Sequence, residues 1–145
     1  GVRVSHNKDI SSLNMITVNK LIETNFKTIR PEQTLRDLLP IISTSTRNIY
    51  PVVDEKGNFK GHVLFDSIRK IIFDPAQYDT SIEDIMLLPD YLVTTEDSAE
   101  DVVKKSERSG NYNIAVVDGK KYLGYISRAL IFTTYQATLK EISDD

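Results

Sequence analysis

The sequence predicts an α/β (α+β) fold built from two similar units, each a short β-sheet with flanking helices, related by pseudo-twofold symmetry. Three observations lead there. The phrase "YPVVDEKGNFKGHVLFDSI", Tyr50 to Ile68, returns as "IAVVDGKKYLGYISRALI", Ile114 to Ile131, in the same order: apolar run, Asp, Gly-bearing turn, Gly, second apolar run. The correspondence extends far beyond that phrase. Within each copy, moreover, apolar residues alternate between helical and strand spacing in the same sequence.

At a shift of 64, Val18, Leu21 and Ile22 fall on Ile82, Ile85 and Met86, and Ile29 falls on Val93. Leu35, Leu38 and Leu39 fall on Ala99, Val102 and Val103, and Val52, Val53 and Asp54 on Val116, Val117 and Asp118. One residue is lost in the second turn, so that at a shift of 63 Gly61 meets Gly124, Val63 meets Ile126 and Ile68 meets Ile131. Agreement in both spacing and chemical type indicates duplication of a unit of about 60 residues. The expected organisation is a lead-in segment at 1–17, a first unit at 18–77, and a second unit with the C-terminal helix at 78–145.

Each unit opens with a short amphipathic turn ("VNKLIET", "IEDIM") and a brief extended piece ("FKTI", "YLVT"). A helix follows. Thr34 caps the first, with Leu35, Leu38, Leu39 and Ile42 on one face; Ser98 caps the second, with Asp101 placed for a capping box. Pro40 removes a backbone hydrogen bond and predicts a kink or early stop. Ser106 stands where Ile42 stood, which forfeits about 1–3 kcal/mol of burial and predicts a weaker second helix. Two strands come next, "IYPVV" with "GHVLF" and "NIAVV" with "GYIS", joined by Gly-containing turns. The closing helices are "DSIRKIIF", with Asp66 as cap, and "RALIFTTYQATLKEI". On the latter, Ile131, Tyr135, Leu139 and Ile142 form a stripe suited to covering the first copy or to a dimer face. One unit alone buries too little apolar surface to offset the ordering of its chain, so the duplication is first a stability device. Clefts between the copies are then where function would lie.

Composition narrows the classes. A hydrophobic content of 40% and a charged content of 27% are those of a soluble globular chain. The net charge is −3 and the basic residues are scattered, which argues against nucleic acid as a partner. Cysteine is absent, so there is no disulfide framework, thiolate nucleophile or Cys-type zinc site, as suits a reducing cytoplasm. No run reaches the length of a membrane span, and "GVRVSHNKD" lacks the apolar core of a signal peptide and reads as the start of an excised fragment. Catalysis finds little support. His6 lies in the lead-in, and His62 on a strand has no second His or Cys at metal-ligand spacing. Glu83-Asp84, Glu96-Asp97 and Glu100-Asp101 stand at helix starts, where they complement the helix dipole. "GNFKG" lacks the Lys-Ser/Thr of a phosphate loop. The expectation is a protein that is not an enzyme, with no catalytic or metal residues.

The tandem of an apolar run with Pro-Val-Val-Asp or Ala-Val-Val-Asp, a Gly turn, and Gly leading into a helix resembles a pair of CBS domains, a Bateman module, from about Val18 to Ile142. The stretches "RKIIFDPAQYDTSIEDIM" and "YLGYISRALIFTTYQATLKEISDD" look most like the cytoplasmic C-terminal region of prokaryotic CLC chloride channels and transporters. That resemblance implies a membrane-embedded transport domain in the same parent chain. It implies a soluble module on the cytoplasmic side of the cell membrane, a homodimer, and a role in gating regulation and dimer assembly. It implies no certain cofactor, with AMP, ADP or ATP as the family's ligands in clefts between the copies.

The family signature places Ser or Thr three residues after the strand Gly and a ribose-binding Asp six after it. Here Gly61 is followed by Leu64 and Ser67, with Asp66 one place early, and Gly124 by Ser127 and Leu130. The ribose Asp is therefore missing from both halves, and a Leu in its place leaves the hydroxyls unpaired at about 1–3 kcal/mol. By resemblance, one cleft draws on Thr28, Ile29, Arg47 and Asn48 with Ser127 and Arg128, the two arginines meeting phosphate. The other draws on Val93, Thr94, Tyr112 and Asn113 with Asp66 and Ser67, Tyr112 stacking on a base and Asp66 reaching ribose. Plain roles compete: Asp66 as an N-cap, Tyr112 as a packing residue, Arg47 and Arg128 as surface or intersubunit ion-pair residues. The function expected is a regulatory CBS pair of a CLC-type chloride channel or transporter. The alternative is an AMP or ATP sensor in a soluble CBS protein or enzyme.

Overall fold

The structure, a computed structural model, describes residues 19–144. The expected lead-in at 1–17 lies outside the described residues. The chain divides into two compact units. The first comprises Asn25–Pro89 with Lys120–Tyr122; the second comprises Asp90–Gly119 and Leu123–Asp145 together with the described part of Gly1–Thr24.

In the first unit, helix α1 (Leu35–Thr44) leads to strands β1 (Ile49–Val53) and β2 (Phe59–Leu64). A single turn, α2 (Phe65–Ile68), two 3-10 turns (Ile71–Phe73 and Pro75–Gln77) and another single turn, α3 (Ile82–Ile85), follow. In the second unit the order is β3 (Val93–Thr94), α4 (Ala99–Arg108), β4 (Asn113–Asp118), β5 (Lys121–Ser127, whose first two residues belong to the first unit) and α5 (Arg128–Asp144). The result is a mixed α/β architecture of small sheets and helices, as the periodicity requires. β1 and β2 pair antiparallel, and β3-β4-β5 form a three-stranded sheet in which β3 runs parallel to β4. The first unit reduces the counterpart of β3 to one parallel bridge: the Ile29 N–H donates to Pro51 O at 3.0 Å, and the Val53 N–H to Ile29 O at 2.9 Å.

Local chemistry explains the boundaries. At α1 the Thr34 N–H and hydroxyl both donate to the Asp37 carboxylate, at 3.0 and 3.2 Å. At α4 the box is reciprocal: Ser98 Oγ accepts the Asp101 N–H at 3.1 Å, and the Ser98 N–H donates to Asp101 Oδ2 at 3.1 Å. The bond from the Ser98 N–H, and after it one from the Ser98 side chain, hold the Asp101 carboxyl below its usual range. Pro40 does not stop α1, which is 10 residues long, the same as α4. Its carbonyl accepts the Ser43 and Thr44 hydroxyls instead, at 2.9 and 2.8 Å. The turn between β1 and β2 is knotted by Asp54 Oδ1, which accepts the Asn58 N–H at 2.8 Å and the Lys56 N–H at 2.9 Å. These bonds, chiefly that from Asn58, lower the Asp54 pKa.

Asp66 is not the N-cap expected of it. Leu64 occupies that place, and Asp66 sits inside the first turn of α2, 2.6 Å from the Arg69 guanidinium. The helix expected over "DSIRKIIF" is accordingly one turn followed by a 3-10 turn.

Each unit has its own core. Leu35, Leu38, Tyr50, Val52, Val63, Ile68 and Ile82 centre the first; Val93, Val102, Ile114, Val116, Ile126 and Ile131 centre the second. Ile131 and Tyr135 of the expected stripe on α5 both pack on the second core. The side chains of Leu139 and Ile142 lie outside the described residues.

The leading turns do not stay with the repeats that encode them. Ile82, Ile85 and Met86 pack in the first core, while Leu21 and Ile22 pack on the second. Main-chain pairing fixes this exchange. Leu87 and His62 exchange N–H···O bonds of 2.8 and 3.0 Å, and Glu23 and Tyr125 exchange bonds of 2.8 and 3.0 Å. The approach requires the repeated glycines. A Cβ on Gly61 would stand 2.8 Å from Leu87 O, and one on Gly124 would stand 2.3 Å from Glu23 O. The compact units therefore differ from the boundaries 18–77 and 78–145, because a turn that begins one repeat completes the other unit's sheet face.

Candidate ligand site

In the second unit the start of β4 lies beside the junction of β5 and α5, tied there by the Arg128 N–H donating to Tyr112 O at 2.9 Å. Tyr112 and Asn113 from one side and Ser127, Arg128, Ala129 and Phe132 from the other line a cavity of ≈ 620 Å³, closed by Ser106 and Glu107 of α4. That volume is within the range of small-molecule sites. The Ser106 hydroxyl is fully buried and donates to Val103 O at 2.8 Å, so the polar atom is satisfied within its own helix. Its small side chain leaves space where an Ile would intrude.

Arg128 is positioned by two main-chain bonds, its own N–H to Tyr112 O and its Nη1 donating to Ser109 O at 2.7 Å. Among the described residues no carboxylate stands within ion-pair distance of it. A guanidinium held by a carbonyl and lining a cavity keeps donors for an anion. Ser127 Oγ accepts the Leu130 N–H at 3.3 Å and so caps the first turn of α5. The rim is aromatic: Tyr112 is 84% exposed and Phe132 45%. An anion-binding fork, hydroxyl and amide groups, and exposed rings can together hold a planar, phosphate-bearing molecule.

Four of the expected ligand residues, drawn from both expected clefts, thus share one cavity. Ser106, Glu107, Ala129 and Phe132 complete it and were not among the residues expected from the sequence. Two cues pointed there: Ser in the slot of Ile42, and Phe132 four residues after Arg128 on one helical face.

The other expected residues have local roles. Val93 and Ile29 are core side chains. The Thr94 N–H donates to the Asp97 carboxylate at 3.0 Å. Arg47 donates to Asn25 Oδ1 at 2.7 Å and lies 4.3 Å over the Phe26 ring. Asn48 gives its carbonyl to the Phe65 N–H at 2.9 Å, the counterpart of the Tyr112–Arg128 bond. Ser67 Oγ donates to Leu64 O at 2.7 Å. Thr28 is exposed beside Ile29.

His62 is buried in the first unit, edge-on to Phe59 with ring centroids 6.3 Å apart, and burial pushes its pKa down to about 4. It is a neutral core residue at ordinary pH. Among the described residues no cluster of His, Cys, Asp or Glu could hold a metal ion, and no helix is long and apolar enough to cross a membrane.

A family model described as CBS domain matches residues 10–74 and 82–135, both copies of the repeat. The chain belongs to the CBS domain family. CBS-pair domains are regulatory, non-catalytic modules, and no catalytic family is indicated. Solved structures agree on the fold. A CBS domain protein from Streptococcus pneumoniae TIGR4 is similar at 18% identity and a TM-score of 0.69, over 91% of this chain and 94% of that one. The CBS domain of a bacterial CNNM/CorC family Mg2+ transporter, in complex with ATP, matches at 18% identity and a TM-score of 0.68, over 88% and 95%. CBSX2, in complex with AMP, matches at 19% identity and a TM-score of 0.65, over 83% and 96%. No curated protein matches the sequence.

Proposed function

We propose that this CBS pair is a regulatory module that takes an adenine nucleotide in the cavity of its second unit. The observation that carries the reading is Arg128, anchored by Ser109 O, lining the cavity with the exposed Tyr112 and without a carboxylate partner among the described residues. Phosphate oxygens would take the free guanidinium donors and the base would lie against an aromatic rim. The AMP and ATP found with CBSX2 and the CNNM/CorC domain support this choice of ligand. Leu130, in the position of the family's ribose Asp, offers no acceptor, so phosphate and base contacts carry the affinity.

Calorimetric titration with AMP, ADP and ATP tests the reading. The expected result is binding that Arg128→Ala weakens about ten- to a hundredfold, the worth of a charge-assisted hydrogen bond. Absence of heat at millimolar nucleotide rejects it.

The parent, in this proposal, is a membrane transporter, with the module on its cytoplasmic side and in a homodimer. Support comes from the resemblance of "RKIIFDPAQYDTSIEDIM" and the C-terminal stretch to CLC chloride channels and transporters. Similar folds in the CBS pair domain of SO5017 from Shewanella oneidensis MR-1 and in the soluble part of a magnesium transporter give weaker support. A soluble nucleotide sensor is the second reading, favoured by the AMP-bound CBSX2. The encoded residues upstream of Gly1 separate the two. Several apolar spans of ~20 residues support the transporter, and a soluble domain supports the sensor.

A further inference from the structure

The two copies agree closely in backbone and differ sharply in what lines the equivalent place. Their helices α1 and α4 are register-matched, and β1 and β4 start at matching residues, as do α2 and α5. The Phe65-to-Asn48 and Arg128-to-Tyr112 bonds, both 2.9 Å, are the same bond in two copies. The side chains can therefore be compared position by position.

Ser106 of the cavity corresponds to Ile42, Asn113 to Ile49, Ser127 to Leu64 and Arg128 to Phe65. These four polar or charged groups of the second unit are thus apolar in the first, while Glu107 corresponds to Ser43, Tyr112 to Asn48, Ala129 to Asp66 and Phe132 to Arg69. Ile42 and Phe65 pack against the first core, and Ile49 is itself buried. Where the second unit presents a fixed cation and three polar groups, the first presents four hydrocarbon side chains. The one cation among the equivalent positions, Arg69, is already paired with Asp66 at 2.6 Å, so a phosphate-bearing ligand placed there would meet hydrocarbon and a carboxylate.

We infer that the duplication has divided labour: the second unit alone binds a ligand, one per chain, and the first unit's equivalent place is sealed as core. This rests on the reading of the cavity as a nucleotide site. It predicts that the site can be erased or left intact according to which copy is changed.

The experiment is calorimetric titration of the intact chain with ATP and with AMP, read for stoichiometry as well as affinity. One nucleotide per chain is expected. Replacing the second unit's groups by those of the first, Ser127→Leu with Arg128→Phe, should abolish all binding. Ser106→Ile, which fills the cavity with a residue the first copy tolerates, should weaken binding at least tenfold and serves as the second variant if the double one fails to fold. Leu64→Ser in the first unit should leave stoichiometry and affinity unchanged, provided the melting transition shows it folded. Two nucleotides per chain, or half the binding surviving in a folded second-unit variant, overturns the division of labour while leaving the nucleotide reading intact. No binding to the unaltered chain overturns both.

Discussion

Gly124 and Gly61 show how a single residue decides the placement of a distant turn. A methyl at Gly124 would meet Glu23 O at 2.3 Å and the Ile22 side chain at 2.8 Å, and the first of these is main chain that cannot swing aside. Gly124→Ala should therefore cost about 2–4 kcal/mol, since it adds a clash and breaks the Glu23–Tyr125 bonds; urea unfolding measures it. His62 carries a second residue-level prediction. Its folded pKa of about 4 lies below the ordinary 6.5, so between those values only the unfolded chain takes up the proton. Stability is full above pH 6.5 and falls as the pH drops, by up to about 3 kcal/mol near pH 4. Melts across that window should show the slope, and His62→Phe should remove it. The glycines were legible in the repeat as recurring letters. What they approach was not, because a close contact between Gly61 and Leu87 leaves no mark on local spacing.

Among the elements, helices α1 and α4 were read from the sequence with their caps, because apolar spacing and a Thr or Ser with an Asp three residues on are local features. Ser98→Ala should cost about 1 kcal/mol by removing the acceptor for the Asp101 N–H. Pro40 was read as a kink or early stop, yet α1 continues to Thr44. Its face still buries Leu35 and Leu38, and that packing outweighs the missing bond. Pro40→Ala should consequently raise stability by about 1–3 kcal/mol, measurable by the same urea titration. The misplacement of Asp66 has a physical cause as well. An Asp before an apolar helical pattern is a sound cap signal, but here β2 ends at Leu64 and the helix is capped there, two residues earlier. Arg69, three residues on, then claims the carboxylate as an exposed ion pair.

At the scale of the whole molecule, the repeat and the mixed α/β class were plain from the sequence. The partition into compact units was not. The sequence repeat groups Ile82, Ile85 and Met86 with the second copy, whereas they complete the first core. Ile82→Ala should for this reason cost about 2–4 kcal/mol in urea unfolding, as a core substitution in the first unit does. Of the candidate site, the four shared residues were legible through family resemblance, but their grouping into one cavity depended on the β4 and α5 junction that only the fold supplies. In the proposed reading, function at this scale is population shift: a nucleotide would change a parent protein only by binding one of its arrangements better than another. Its binding should also stabilise the chain, by about 2.7 kcal/mol at a hundred times Kd, or roughly 5–10 °C in Tm.

The most direct measurement is an amide-resolved NMR titration of the chain with AMP. The account predicts saturable shifts concentrated at Tyr112, Asn113, Ser127 and Arg128, with Asn48, Leu64 and Phe65 unmoved. Shifts centred on those first-unit residues, or none at all, would contradict it.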